Sequence, residues 1–160
     1  ENSWNGTVFE RYGNTHLLQS ILVFTIDGMP LLYSGQEAGL KKRLKFFEKD
    51  AIEWGDYIYA DFFSALLKLH QKHPALWNGK YGGTFEKMDY EDDDLYCYQR
   101  VKEDNRVFVF LNFSDTIKFI DLKEPIIQSL TELYSQEKTD LLNKVELGPL
   151  GYKVFYTDLY

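Results

Sequence analysis

The sequence predicts an α/β barrel remnant followed by an all-β antiparallel sandwich, with the change of fold near Gly79. Three observations carry this reading. Met29 to Tyr33 is an apolar run with no polar residue to mark a wet face, which suits a strand covered on both sides, as in a parallel sheet flanked by helices. Apolar residues recur at helical spacing on either side of that run, so a helix leads into the strand and another leaves it. Beyond Gly79 the hydrophobic period falls to two, in segments rich in Phe, Tyr, Val and Ile.

Taken in order, Glu1 to Gly13 is polar, carries Gly6 and Gly13, and reads as a loop whose conspicuous residue is Trp4. Asn14 or Thr15 caps a helix running to Thr25, with Leu18, Ile21, Leu22 and Thr25 on one face. Asp27-Gly28 closes it. Gln36 and Glu37 sit just past the end of the expected strand, the edge at which α/β sheets and barrels bind ligands. Lys41, Lys42, Arg43, Lys45 and Lys49 form the one basic cluster, which reads as a solvated face. From Tyr59 a second helix places Phe62, Phe63, Leu66, Leu67 and His70 on one side, with Asp61 near its positive end and Lys68, Lys72 and His73 near its negative end. Pro74 stops it.

The boundary between the two parts falls at Leu76 to Gly83, where Trp77, Asn78, Gly79, Gly82 and Gly83 break both periodicities and predict exposed, protease-sensitive backbone. The strands that follow are Thr84 to Met88, Asp94 to Val101, Arg106 to Phe113, Thr116 to Leu122 and Tyr152 to Thr157. Val107 to Leu111 is the most apolar and the natural centre of the sheet. Between Glu124 and Leu142 the pattern is mixed, and Pro125 excludes a central strand at that point. The acidic loop Asp89 to Asp94 lacks the glycine and terminal glutamate of a calcium loop and reads as a solvated turn.

Composition narrows the function classes. A net charge of −7 and a pI near 5.0 argue against nucleic acid or an acidic membrane as partner, while a neutral polysaccharide would not be repelled. The 17% aromatic share favours strands and also suits stacking on sugar rings. Cys97 is the only cysteine, so neither an internal disulfide nor a cysteine metal cluster can form, and it reads as a buried strand residue. The 3 histidines, His16, His70 and His73, have no third ligand at metal spacing. No apolar run approaches the roughly 20 residues needed to cross a bilayer. The opening at Glu1, without Met or a signal-like stretch, is that expected of an excised fragment, and no compartment can be read from it.

The run Gly28, Pro30, Tyr33, Gly35, Gln36, Glu37 and Gly39 resembles the last barrel strand of the α-amylase family of glycoside hydrolases, with its form Gly-x-Pro-x-x-Tyr-x-Gly-(Gln or Asp)-Glu-x-Gly. Glu1-Asn2-Ser3-Trp4 is similar to the continuation of the family's His-Asp motif. The stretch from Phe62 through His73-Pro74-Ala75-Leu76 to Gly79 resembles its final barrel helix and the exit into its C-terminal β-domain. The resemblance is strong to Gly79 and by pattern beyond. It implies that residues 1–78 are the C-terminal end of a TIM-type (β/α)8 catalytic barrel, its final βα repeat, and that residues 79–160 are a C-terminal antiparallel β-sandwich domain.

The same resemblance implies a retaining glycosidase acting on α-glucans, which needs two carboxyl groups facing one another across the bond. The family's catalytic carboxylates belong to segments not in this chain, so the expectation is no catalytic residue here. Trp4 and Glu37 remain as candidate substrate-binding residues, Glu37 by shaping the loop and Trp4 by stacking on a sugar or by packing. No cofactor is expected; the resemblance admits calcium in the parent enzyme, with no metal site identifiable in these residues. The alternative is a noncatalytic carbohydrate-binding or structural β-module, which would have no reason to keep the Gly28 to Gly39 motif. A barrel strand lacking a neighbour has an open edge, which predicts that the chain self-associates or that its N-terminal part packs on the β-domain.

Overall fold

Helices form where their apolar spacing places them, and one more forms inside the expected loop. The computed structural model describes residues 5–158, with α1 at Val8–Tyr12, α2 at His16–Thr25 and α3 at Ala60–Lys72. The unexpected α1 is set by a capping box: the Glu10 amide donates to Thr7 Oγ1 (3.2 Å) and the Thr7 amide to Glu10 Oε2 (2.7 Å). Its sequence signature is the Thr7-x-x-Glu10 spacing. Helix α3 ends before Pro74, which holds His73 in extended backbone. Its buried stripe is Phe62, Phe63, Leu66 and Leu69, whereas Leu67 is 42% exposed. Positions 62, 66 and 69 repeat at four and three residues, and Leu67 lies off that line.

The expected strand Met29 to Tyr33 does not form. The run belongs to neither sheet among the described residues, and Met29 and Leu31 are 85% and 66% exposed. A parallel strand is held by neighbours on either side, and the described residues offer it none.

Among the described residues the β-region holds the five strands read from the period-two pattern and three more. They are β1 (Thr84–Met88), β2 (Leu95–Lys102), β3 (Asn105–Asn112), β4 (Lys118–Ile126), β5 (Leu130–Glu132), β6 (Lys138–Thr139), β7 (Leu142–Leu147) and β8 (Tyr152–Thr157). One sheet has six strands in the order β1-β2-β3-β8-β5-β6, and β4 and β7 form a separate two-stranded ribbon. The pairings are antiparallel. Pro125 lies within β4, in a ribbon with only one neighbour, at an irregularity of register between Asp121 and Ile126. That is an edge position, where a missing N–H costs nothing.

Both faces of the large sheet are covered, by different layers. Val107, Val109 and Leu111 of β3 join Tyr98 and Val154 in a cluster with Leu18, Ile21 and Phe24 of α2 and Phe62, Phe63, Leu66 and Leu69 of α3. The alternate residues Phe108 and Phe110, with Cys97, Leu130 and Phe155, pack on Ile120, Val145 and Leu147 of the ribbon. This is why β3 reads as one continuous apolar run: each successive side chain enters a different core. Burial pushes the Cys97 thiol up to about 12, an inert group packed as an apolar one.

The helical layer is tied to the sheet by Arg100 of β2, whose side chain is fully buried. Its guanidinium donates to the carbonyls of Thr25 (3.0 Å), Gly83 (3.0 Å) and Trp77 (3.4 Å). Asp27 lies at 3.7 Å. Thr25 ends α2, so the cation also meets the negative end of that helix. Burial lowers the Arg100 pKa, with Asp27 opposing the shift.

The expected loose linker is therefore held at both glycines. A side chain on Gly82 would meet the Trp77 carbonyl at 1.6 Å, and one on Gly83 the Val101 carbonyl at 2.5 Å. The Gly83 amide donates to the Ala75 carbonyl (3.1 Å). Close backbone approach, and not mobility, is what these glycines serve.

Replacing Arg100 with leucine leaves three carbonyls of the helix–sheet seam without their donor, the Thr25 carbonyl in a buried position. We expect R100L to lower the free energy of unfolding by about 3–5 kcal/mol, measured by urea denaturation at neutral pH. A loss under about 1 kcal/mol would mean that the carbonyls are satisfied without the guanidinium.

Candidate functional site

The glycine-rich run forms a compact loop after α2. Its turns are closed by backbone hydrogen bonds, Gln36 N–H to the Tyr33 carbonyl (3.0 Å) and Leu40 N–H to the Gly35 carbonyl (2.9 Å). Two positions require glycine. Gly35 has φ +94° and Gly39 φ +69°, and a side chain on Gly39 would stand 2.8 Å from Ile58 Cδ1. Left-handed backbone and close packing both exclude a Cβ there.

The two polar residues of the motif turn inward. Gln36 Oε1 accepts the Tyr33 amide (2.7 Å) and Glu37 Oε2 accepts the Gly35 amide (3.0 Å). The Glu37 carbonyl accepts the Tyr59 amide (3.0 Å), which couples the loop to the start of α3. Glu37 Oε2 thus ties the loop to its own backbone. One cavity beside this loop, lined by Thr7, Val8, Gln36, Leu40 and Leu44, is only about 40 Å³; a second, of about 350 Å³, is lined by Leu31 and Gln36 of the loop together with His16, Phe24 and Phe63. Trp4 lies outside the described residues.

The other candidate groups are dispersed. His16 Nδ1 donates to the Gly13 carbonyl (3.1 Å), His70 Nδ1 to the Phe24 carbonyl (3.1 Å) and His73 Nε2 to the Thr157 carbonyl (3.1 Å). A carbonyl only accepts, so in each case the named nitrogen carries the proton. His73 is buried, and burial lowers its pKa. In the acidic loop, Asp92 and Asp94 share Lys118 (2.7 and 3.1 Å), and Asp89 pairs with Lys87 (2.7 Å). An ammonium stands where a cation would have to bind, and no group of three His, Cys, Asp or Glu fit for a metal occurs among the described residues.

The basic cluster is a paired surface. Arg43 binds Glu10 (2.9 Å), Lys45 binds Glu48 (2.7 Å) and Lys42 binds Asp50. The Arg43 guanidinium and the Thr7 amide hold the Glu10 carboxyl down to about 2.

No family model matches the chain. It is 25% identical over 147 residues to alpha-amylase 2 of Dictyoglomus thermophilum, an alignment covering 84% of this chain and 24% of that protein. It is 33% identical over 95 residues to the alpha-amylase MalA of Haloarcula japonica, covering 57% of this chain and 14% of the other. Among solved structures, the alpha-amylase of Geobacillus thermoleovorans, crystallised with acarbose, matches 89% of this chain and 33% of its own with a TM-score of 0.66 at 20% identity. The chain thus spans about a quarter of the length of the first of these relatives. A match confined to such a share is what a C-terminal portion would give.

If Glu37 serves the loop, E37A should expose the Gly35 amide to faster hydrogen exchange and cost about 1 kcal/mol in thermal stability, while E37Q, which keeps an acceptor oxygen, costs less. Equal exchange in all three proteins would remove Glu37 from that role.

Proposed function

We propose, from the premise that the chain is a relative of the α-amylase family of glycoside hydrolases, that it forms part of a retaining glycosidase acting on α-glucans such as starch and maltooligosaccharides. The observation that carries this is the alignment of 84% of the chain with an alpha-amylase. The Gly28 to Gly39 loop agrees with it, because a freestanding β-module has no use for that motif. In this reading residues 1–78 are the end of a (β/α)8 barrel, residues 79–160 are the C-terminal β-domain, and the nucleophile and acid come from barrel segments upstream. Retention requires those carboxyl groups about 5–5.5 Å apart. This chain contributes the wall of the barrel and the loop that Glu37 and Gln36 shape.

The purified chain should therefore leave soluble starch and nitrophenyl maltosides uncleaved. Turnover that scales with protein through successive purification steps would overturn the assignment of the catalytic carboxylates to other segments. The alternative, a noncatalytic sugar-binding or structural β-module, would gain from proof that the chain is made and secreted or retained without any barrel attached.

Self-association belongs to the same reading. Met29 and Leu31 stand exposed on a run that matches a barrel strand, with no strand beside it among the described residues. Such an apolar surface is buried by a second copy when nothing else covers it. Sedimentation velocity should show dimers or larger species for the chain and a monomer for the double variant M29S/L31S. Monomers in both would end the proposal.

A further inference from the structure

A cavity in the β-region lies where the ribbon departs from the sheet. Strand β4 pairs with β7 from Lys118 to Asp121, then loses register before Ile126, with Pro125 in the gap. The irregularity lifts this end of β4 away and leaves a groove of about 640 Å³ over β1 to β3. That volume is in the range of small-molecule sites. Met88, Tyr90, Gln99, Arg106, Phe108 and Ile126 line it, so apolar and polar groups meet in one place.

Three of its polar groups lack a protein partner among the described residues. Gln99 Nε2 donates to Glu86 Oε2 (2.8 Å), which fixes the orientation of the amide. The remaining oxygen, Gln99 Oε1, is buried and accepts nothing. The Arg106 guanidinium makes no hydrogen bond or ion pair among the described residues, although its backbone amide donates to Thr157 Oγ1 (3.0 Å). The Tyr90 hydroxyl has no partner either, and burial raises its pKa, so it stays a donor at neutral pH. Lys87, by contrast, is occupied by Asp89 (2.7 Å).

This set selects a class of ligand. A buried acceptor without a donor is costly, and a ligand that brings a hydroxyl to Gln99 Oε1 recovers that cost. An anion would satisfy Arg106 but set negative charge against that oxygen and the Asp89 and Glu124 carboxylates on the rim. A wholly apolar ligand would leave Gln99 Oε1 as it is. A sugar supplies hydroxyls that both donate and accept, together with a C–H face for the Tyr90 ring and the Met88 and Ile126 side chains.

We propose that the groove between β4 and the β1–β3 face binds a neutral oligosaccharide, with Gln99, Arg106 and Tyr90 as its polar contacts. The choice of an α-linked glucose chain rests on the function proposed above; the groove itself does not. It is a site apart from the Gly28 to Gly39 loop, on the opposite side of the sheet from the helices.

The test is calorimetric titration of the chain with maltoheptaose and, separately, with cellohexaose and inorganic phosphate, using wild type, Q99L, R106A and Y90F. Saturable binding of maltoheptaose, weakened about tenfold in Q99L and R106A with unchanged urea midpoints, is the expected result. The Arg106 side chain makes no hydrogen bond or ion pair among the described residues, so R106A keeps the test informative if Q99L is poorly folded. Cellohexaose bound in preference to maltoheptaose with the same sensitivity would uphold the groove and count against the α-glucan reading. Absence of binding to either sugar, equal affinity in the variants, or preference for phosphate would overturn the proposal.

Discussion

One buried cation decides how this molecule is put together. Arg100 places a charge between the sheet and the helices and spends it on three carbonyls, one at the end of α2 and two in the segment that leads from α3 into β1. The apolar contacts around it favour burial but are tolerant of sliding; hydrogen bonds at about 3 Å are not. A second set of polar ties surrounds the first. The Tyr98 hydroxyl shares a hydrogen bond with Thr25, whose own hydroxyl donates to Ile21 (2.6 Å), and His73 reaches Thr157 on β8. Each joins a helix or its exit to a strand of the large sheet. The helices are thus seated by polar contacts set within an apolar interface, and the linker is pinned by the same groups.

The parts of the fold that were legible in the sequence are those settled by local pattern. Thr84–Met88 and Tyr152–Thr157 form at the bounds their alternation gives, and α3 stops where Pro74 requires. Strands β5 and β6 were not legible, because runs of three and two residues carry no readable period. The burial of Met29 to Tyr33 was misread for a different reason. An apolar run records what a segment tolerates, and burial depends on partners that the run itself does not encode. Arg100 makes the same point in reverse, since a lone arginine at an inward position gives no hint of the carbonyls that receive it.

The candidate sites divide in the same way. The Gly28 to Gly39 pattern located a real loop, yet its spacing could not show that Gln36 and Glu37 face their own backbone. The groove beside β4 was invisible, since Tyr90, Gln99 and Arg106 come from separate places in the chain and are brought together only by the sheet. What opens that groove was noticed as a single residue, Pro125, and as an exclusion from the sheet interior. Its effect is to break the ribbon's register.

The strand order also has a consequence for synthesis. Strand β8, the last of the eight in the chain, lies between β3 and β5 and connects the two halves of the six-stranded sheet. Until it leaves the ribosome, β5 and β6 have no ladder to join, and β3 presents an open, strongly apolar edge. The nascent chain therefore carries its stickiest strand unpaired through the translation of β4 to β7. The sheet closes late and all at once, in a step that depends on a contact more than forty residues apart in sequence. Nonsense or frameshift lesions that spare everything through Leu147 would still release a chain with an unfinished centre, a substrate for chaperones and proteases.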